Sequence, residues 1–302
     1  MKKILFLIGC LLIGINSANA LTINGDEGYI NNNGAKISSE QYKILHKNNF
    51  EDSYIDKLTQ DSINVYSDPK LNDESKSIYV ITTYKMDRFG NVVDQYSMNA
   101  TEEQAKSVAT NENLHVTPNS TLTSTPSIST YGYVDNYTYA TESKRVTGYY
   151  TNMDGKYVIQ LWATWYKTPK IKEFDIMAVR WNNSVSISNI IGWQECDSNT
   201  GTTNYNMSSK NTKYTNNGAG ISMNIHDSAK NRIELYLRVE SNSYFGDDFY
   251  GTYQHARHSN ANTLAISQSY TFGNGLGGVL VFSNNTYKSY YDNMEGIKYH
   301  YE

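Results

Sequence analysis

Histidines and carboxylates crowd together most densely between Asp247 and His258 of this 302-residue chain. Asp247, Asp248, His255 and His258 are of the types that bind zinc or exchange protons, and they form the cluster to test for chemistry. Zinc asks for three or four ligands, usually with two of them on one element at i, i+4 of a helix or i, i+2 of a strand. Residues Tyr250 to Arg257 read as a strand, where a spacing of three sends His255 and His258 to opposite faces. One buried, hydrogen-bonded histidine and one surface histidine fit the same pattern, so no metal set is assigned. Asp247-Asp248 and Asp292-Asn293-Met294-Glu295 lack the ligand spacing of a calcium loop.

Other chemistry is weaker still. Glu173, Asp175, Glu195 and Asp248 offer carboxylate pairs for glycoside hydrolysis, but the separation that reaction needs is a property of the fold. Cys196 stands between Glu195 and Asp197, acids that hold a thiol protonated and inert. Neither a G-x-S-x-G elbow nor an H-E-x-x-H pair is present. Gly273-Asn274-Gly275-Leu276-Gly277-Gly278 spells a dinucleotide fingerprint, yet strand-like Val279–Phe282 follows where a helix must begin. No catalytic residue and no cofactor is therefore assigned. The aromatic content allows a glycan platform, since Trp162 and Tyr166 share a register with Gln160, rings and an amide that suit a sugar face; packing against the other sheet or the N-terminal module fits the same residues.

The elements that must position these groups are mostly strands. Tyr157–Tyr166 alternates Tyr157, Ile159, Leu161, Ala163 and Trp165 against Val158, Gln160, Trp162, Thr164 and Tyr166. Phe174–Trp181 is apolar on both faces, and a Lys167-Thr168-Pro169-Lys170 turn is expected to join the two as a hairpin on which the core condenses. Further strands are expected at Val185–Ile190, Ile221–Ile225 and Ile233–Glu240, with an edge strand or loop at Asn204–Tyr214. A last hairpin is expected from Leu264–Phe272 and Val279–Phe282. This pattern predicts an antiparallel β-sandwich over residues 131–302.

Upstream, residues 21–110 read as a small α+β module. After an irregular lead-in over Leu21–Gly34, Ser38 and Gln41 form a capping box ahead of one helix, and a second runs from about Glu51 to Leu58. Strands Ser77–Met86 and Val92–Met98 and a helix at Thr101–Ala109 follow. Residues 111–130, rich in Ser and Thr with Pro118 and Pro126, read as the linker between the two parts. The fold class is thus mostly β, a small α+β module followed by a sandwich.

Residues 1–20 carry the marks of a secretory signal: Lys2-Lys3, the apolar run Ile4–Ile15 and the small-x-small site Ala18-Asn19-Ala20. Without Lys2 and Lys3, 24 basic residues face 30 acidic ones, a formal charge of −6 with no basic cluster. That excludes nucleic acid as a partner class. Cys196 is the one cysteine after the signal, so no intramolecular disulfide forms, which suits a secreted protein of a monoderm, Gram-positive bacterium. Abundant Asn, Lys and Ile with scarce Arg mark an AT-rich genome, which itself accounts for part of the 27 tyrosines.

Several scattered positions carry a resemblance. Ser39-Glu40-Gln41-Tyr42, Leu45, Phe50, Ile55 and Leu58-Thr59, then Trp165 through Pro169, Asp175, Tyr253-Gln254-His255-Ala256 and Ser289-Tyr290-Tyr291-Asp292, resemble small exported proteins of clostridia and bacilli. Asn48-Asn49 departs from the Leu-Gly frequent there. The resemblance implies export and a β-rich C-terminal domain; the family is uncharacterised and transfers no activity. The expected function is a secreted, non-catalytic interaction protein, cell-wall associated or free, with a glycan, cell wall or protein as partner. The alternatives are a membrane-active or pore-forming factor, through the last hairpin, and a secreted hydrolase.

Overall fold

The computed structural model describes residues 28–47, 52–56, 58, 60, 63–64, 67, 76–89, 91–124, 137–153, 155–196, 203–226, 229, 233–257, 270–273, 279–282, 288, 290–292 and 296–300. The chain forms two compact units, Met1–Lys70 and Leu71–Glu302. In the first, β1 (Tyr29–Ile30) pairs antiparallel with β2 (Lys36–Ile37), so the irregular lead-in ends earlier than Gly34. The Asn31 amide donates to Ile55 O at 2.9 Å and Leu58 O at 2.7 Å, and its oxygen accepts from Ala35 N at 2.9 Å. One buried side chain thereby ties the hairpin to the helical segment. The expected capping box forms, with Gln41 N donating to Ser38 Oγ at 3.1 Å and Ser38 N donating to Gln41 Oε1 at 3.0 Å. Behind it lie α1 (Ser39–Lys47) and the short α2 (Asp52–Ile55), closed over Ile37, Leu45, Ile55, Leu58 and Ile63.

The second unit opens with β3 (Lys76–Met86), β4 (Val92–Ala100), α3 (Glu102–Thr110), β5 (Leu114–Val116) and β6 (Leu122–Ser124). Long strands β7 (Thr138–Met153), β8 (Lys156–Lys167) and β9 (Phe174–Trp181) follow. Then come β10 (Asn189–Cys196), β11 (Thr203–Asn206), β12 (Thr212–Thr215), β13 (Gly218–Asn224), β14 (Ile233–Ser241) and β15 (Asp248–Gln254). The chain finishes with β16 (Tyr270–Phe272), β17 (Leu280–Phe282) and β18 (Ile297–His300). Two antiparallel sheets result, in the orders β11-β10-β14-β8-β7-β3-β4 and β12-β13-β9-β15-β18. Their inner faces meet as a β-sandwich. Val80, Val146, Tyr150, Ile159, Leu161, Trp165, Leu235 and Val239 of one pack with Met177, Val179, Trp181, Ile221, Met223, Phe249 and Tyr253 of the other in one core. The layers touch closely: a Cβ on Gly251 would stand 2.7 Å from Leu161 Cδ1.

Three expectations are corrected. The strands expected to pair as a hairpin lie in different sheets: β8 pairs with β7 and β14, and β9 with β13 and β15. Residues 168–173, with Pro169, carry the chain across the ~10 Å between layers instead of turning it back within one. Second, residues 76–110 do not belong with the N-terminal module. β3 is hydrogen-bonded along its whole length to β7, from Lys76↔Gly148 to Met86↔Thr138, and gives the large sheet an edge pair with β4. Third, the described part of the expected linker is folded. β5 and β6 form a hairpin whose Val116 packs with Ile81 and Val108 on the outer face of the large sheet. Its Ser, Thr and Pro118 serve a turn, in which Thr117 N donates to Thr121 O at 3.0 Å. Smaller shifts occur too: the strand expected from Val185 begins at Asn189, and the Asn204–Tyr214 region supplies one edge strand to each sheet.

A chain beginning at Leu71 is expected to show the near-ultraviolet circular dichroism of the packed sandwich. One beginning at Tyr131 should lose that signal, because β7 would be left with an open edge.

Candidate functional site

At one end of the sandwich the apolar registers are continued by charged residues. On β7 the inward series Tyr150, Gly148, Val146 extends to Lys144 and Glu142; on β9 Trp181, Val179, Met177 extends to Asp175; on β3 Val80 and Thr82 extend to Tyr84. On β15 Phe249 and Gly251 extend to Tyr253, with His255 just past the strand end. The antiparallel bridge Ala256↔Tyr291 brings Asp292 alongside. Alternation alone thus delivers these charges into the space between the sheets.

There they form one network of hydrogen bonds and ion pairs. His255 Nδ1 lies 3.0 and 2.9 Å from the two oxygens of Asp175, which also accepts from Ala256 N at 2.9 Å and from the Tyr253 hydroxyl. Trp165 Nε1 donates to Tyr253 Oη at 3.1 Å. Lys144 Nζ pairs with Asp292 Oδ2, while His255 N donates to Asp292 Oδ1 at 2.8 Å. Tyr84 donates to Glu142 Oε1 at 2.6 Å, and that oxygen stands 3.8 Å from His255 Nε2. The Lys144 ammonium also lies over the Trp165 and Tyr253 rings, 4.9 and 5.1 Å from their centres.

Electrostatics follow from enclosure. Burial drives the Glu142 carboxyl above its ordinary 4.5, against the opposing charges of His255 and Lys144. For His255 burial pulls downward, but Asp175, Glu142 and the hydrogen bond donated to Asp175 together outweigh it and leave the imidazole above 6.5. Enclosure beside the Asp292 carboxylate thus favours the protonated form of Glu142. Asp175 and His255 have no exposed side-chain area, and Lys144 and Asp292 expose 2% each. Among the described residues, the side chains of this network are closed to solvent.

The residues singled out from sequence are placed differently from expectation. His255 is central, while Asp248 lies at the opposite end of β15, about 20 Å along the strand, bound to His300 at 2.9 Å and Lys298 at 3.3 Å. Asp247 accepts a hydrogen bond from Tyr244, and His258 lies outside the described residues. Those four do not converge. Among the described residues no three His, Cys, Asp or Glu side chains are arranged to hold a metal ion.

The glycan platform is not open either. Gln160 has no exposed surface, Trp162 only 2%, and Tyr166 is half-buried, stacked 6.5 Å from Tyr79. Every residue of β8 from Val158 to Trp165 is buried, so its more polar register is covered as well as its apolar one. Cys196 is buried in the core. Among the carboxylates weighed for hydrolysis, Glu195 faces Glu234 across β10 and β14, beside Trp193 stacked on Tyr236 at 4.5 Å. What does face solvent is another aromatic group: Phe89, 73% exposed in the β3–β4 turn, with Val93 and Tyr137. Lys85 lies 4.1 Å over Tyr137, and Arg88 4.6 Å over Phe89.

No family model matches the chain, and no curated protein matches it. Among solved structures, the full-length major pilin SpaD from Corynebacterium diphtheriae is similar at 5% identity, over 62% of this chain and 56% of that one, with a TM-score of 0.23. The chain therefore spans just over half the length of that pilin. A likeness so distant assigns nothing, and the sandwich rests on the strand register described above. No helix among the described residues is long and apolar enough to cross a membrane. In the last hairpin, the paired part is three residues per strand, and Phe272, Leu280 and Phe282 pack against Ile176, Ala256 and Tyr291.

Two measurements test the network. Asp175→Ala strands His255, Tyr253 and Ala256 N, and is expected to cost about 3–5 kcal/mol in chemical denaturation. Because the folded pKa values of His255 and Glu142 are raised, the stability they contribute is full below their unfolded values and lost as pH rises through the folded ones. The unfolding temperature should therefore fall as pH rises from about 4.5 through neutrality, and less steeply above about 6.5 in His255→Gln.

Proposed function

We propose that this chain is an exported, non-catalytic interaction protein that holds an extracellular glycan or cell-wall polymer against one end of its sandwich. The observation that carries the reading is the exposed group Phe89, Val93 and Tyr137, backed by Lys85 and Arg88. Lys85 pairs with Asp94 and Tyr139, and Met86 with Thr138, so the β3–β4 turn and the residue preceding β7 share one end of the large sheet. Flat rings fixed by a sheet stack on the apolar faces of sugars, and the exposed Asn91 supplies an amide beside them. The Met1–Ala20 signal pattern and the acidic charge of the rest support an extracellular setting. The sealed state of the His255 network supports a role without turnover.

A second reading, secreted hydrolase, draws on the Glu195–Glu234 pair and its neighbouring Trp193 and Tyr236 rings. One experiment separates the two. Purified protein is incubated with insoluble peptidoglycan, common polysaccharides and liposomes, and retention, released reducing ends and vesicle leakage are read together. Saturable retention on a glycan, weakened roughly tenfold in Phe89→Ala or Tyr137→Ala with no sugar released, is the expected result. Sugar release lost in Glu234→Gln would replace it with the hydrolase, and leakage without retention with a membrane-active factor.

A further inference from the structure

We infer that Lys144 and Asp292 condense into an amide that covalently joins the two sheets. The pair has the placement such a bond needs. The Lys144 ammonium contacts Asp292 Oδ2, both side chains are 2% exposed, and the two residues are 148 positions apart in sequence. Lys144 comes from the centre of the large sheet, and Asp292 from the segment beside the end of β15 in the small one.

Each atom of the reaction has a partner. Asp292 Oδ1 accepts from His255 N at 2.8 Å, a backbone donor fixed where negative charge develops when the amine adds to Cγ. Oδ2, on the lysine side, is the oxygen that departs. The Trp165 and Tyr253 rings hold Nζ in place at 4.9 and 5.1 Å and keep bulk water from competing. Glu142, two residues before Lys144 on the same face of β7, relays protons, and burial raises its carboxyl above the ordinary value.

The balance closes without any other reactant. Glu142 passes its proton to Asp292 Oδ2 and takes one from Nζ, which attacks Cγ of Asp292. The Cγ–Oδ2 bond breaks, and Oδ2 leaves as one water with that proton and a second from Nζ. Oδ1 remains as the amide carbonyl, still bound to His255 N, and Glu142 ends as it began. The driving force is the removal of a buried ammonium and carboxylate, each costly to keep from water, in favour of a neutral group.

Intact-mass spectrometry of the purified full chain, with its N-terminus assigned from peptides, is the test. The expected mass is lower than the sequence mass by one water, and a digest should contain one branched peptide joining the Lys144 and Asp292 segments, with no tryptic cleavage after Lys144. Lys144→Arg and Asp292→Ala should both return the full mass, a reading that does not require either variant to fold. Glu142→Gln should unfold cooperatively yet carry the full mass. Wild type at its full mass, or a water loss that persists in Lys144→Arg, overturns the bond. A water loss that persists in Glu142→Gln overturns the relay.

Discussion

Charge neutrality inside a space closed to water is the constraint on which the rest of this sandwich depends. Glu142 and Lys144 arrive on β7, Asp175 on β9, His255 behind β15 and Asp292 behind Tyr291. Each is buried, so each must find its counter-charge among the others. The requirement fixes which segments adjoin at this end of the molecule more strictly than apolar packing does. Leucine and isoleucine accept many neighbours, whereas the Asp175 carboxylate accepts only geometry that meets His255, Tyr253 and Ala256 N at once.

Local patterns in the sequence carried local structure. Period-two alternation located β8 and β14, an apolar run located β9, and the Ser38/Gln41 box marked the start of α1. Pairing was not legible, because hydrogen bonding between β3 and β7 or β8 and β14 joins residues far apart, and alternation says nothing about partners. A turn-like Lys-Thr-Pro-Lys reads as a hairpin whether it returns within a sheet or crosses to the facing one. In the same way, Ser/Thr/Pro composition does not separate a tether from the bonded turn at Thr117–Thr121.

The site was half legible. His255 stood out by residue type, but its partner Asp175 lies 80 positions upstream and was one acid among many. A usable signal did exist: Asp175, Lys144 and Glu142 each continue an otherwise apolar register, where a charge survives only if it is paired. Trp165, Tyr253 and Asp292, equally inconspicuous in the sequence, complete the same network. Gln160 and Trp162 failed as a platform for a related reason. Polarity of a register was read as exposure, although β8 is buried in both registers from Val158 to Trp165.

The distance between Lys144 and Asp292 along the chain also governs the order in which the molecule can become native. Strands β7 and β8 can pair as soon as both exist, but the ammonium they bury waits 148 residues for its carboxylate. Contacts of that sequence separation form late, after loop closure has been met by other pairings. A chain delivered from its N-terminus therefore stays open at this end until its final strands arrive, and the last step of folding is the one that seals the charge.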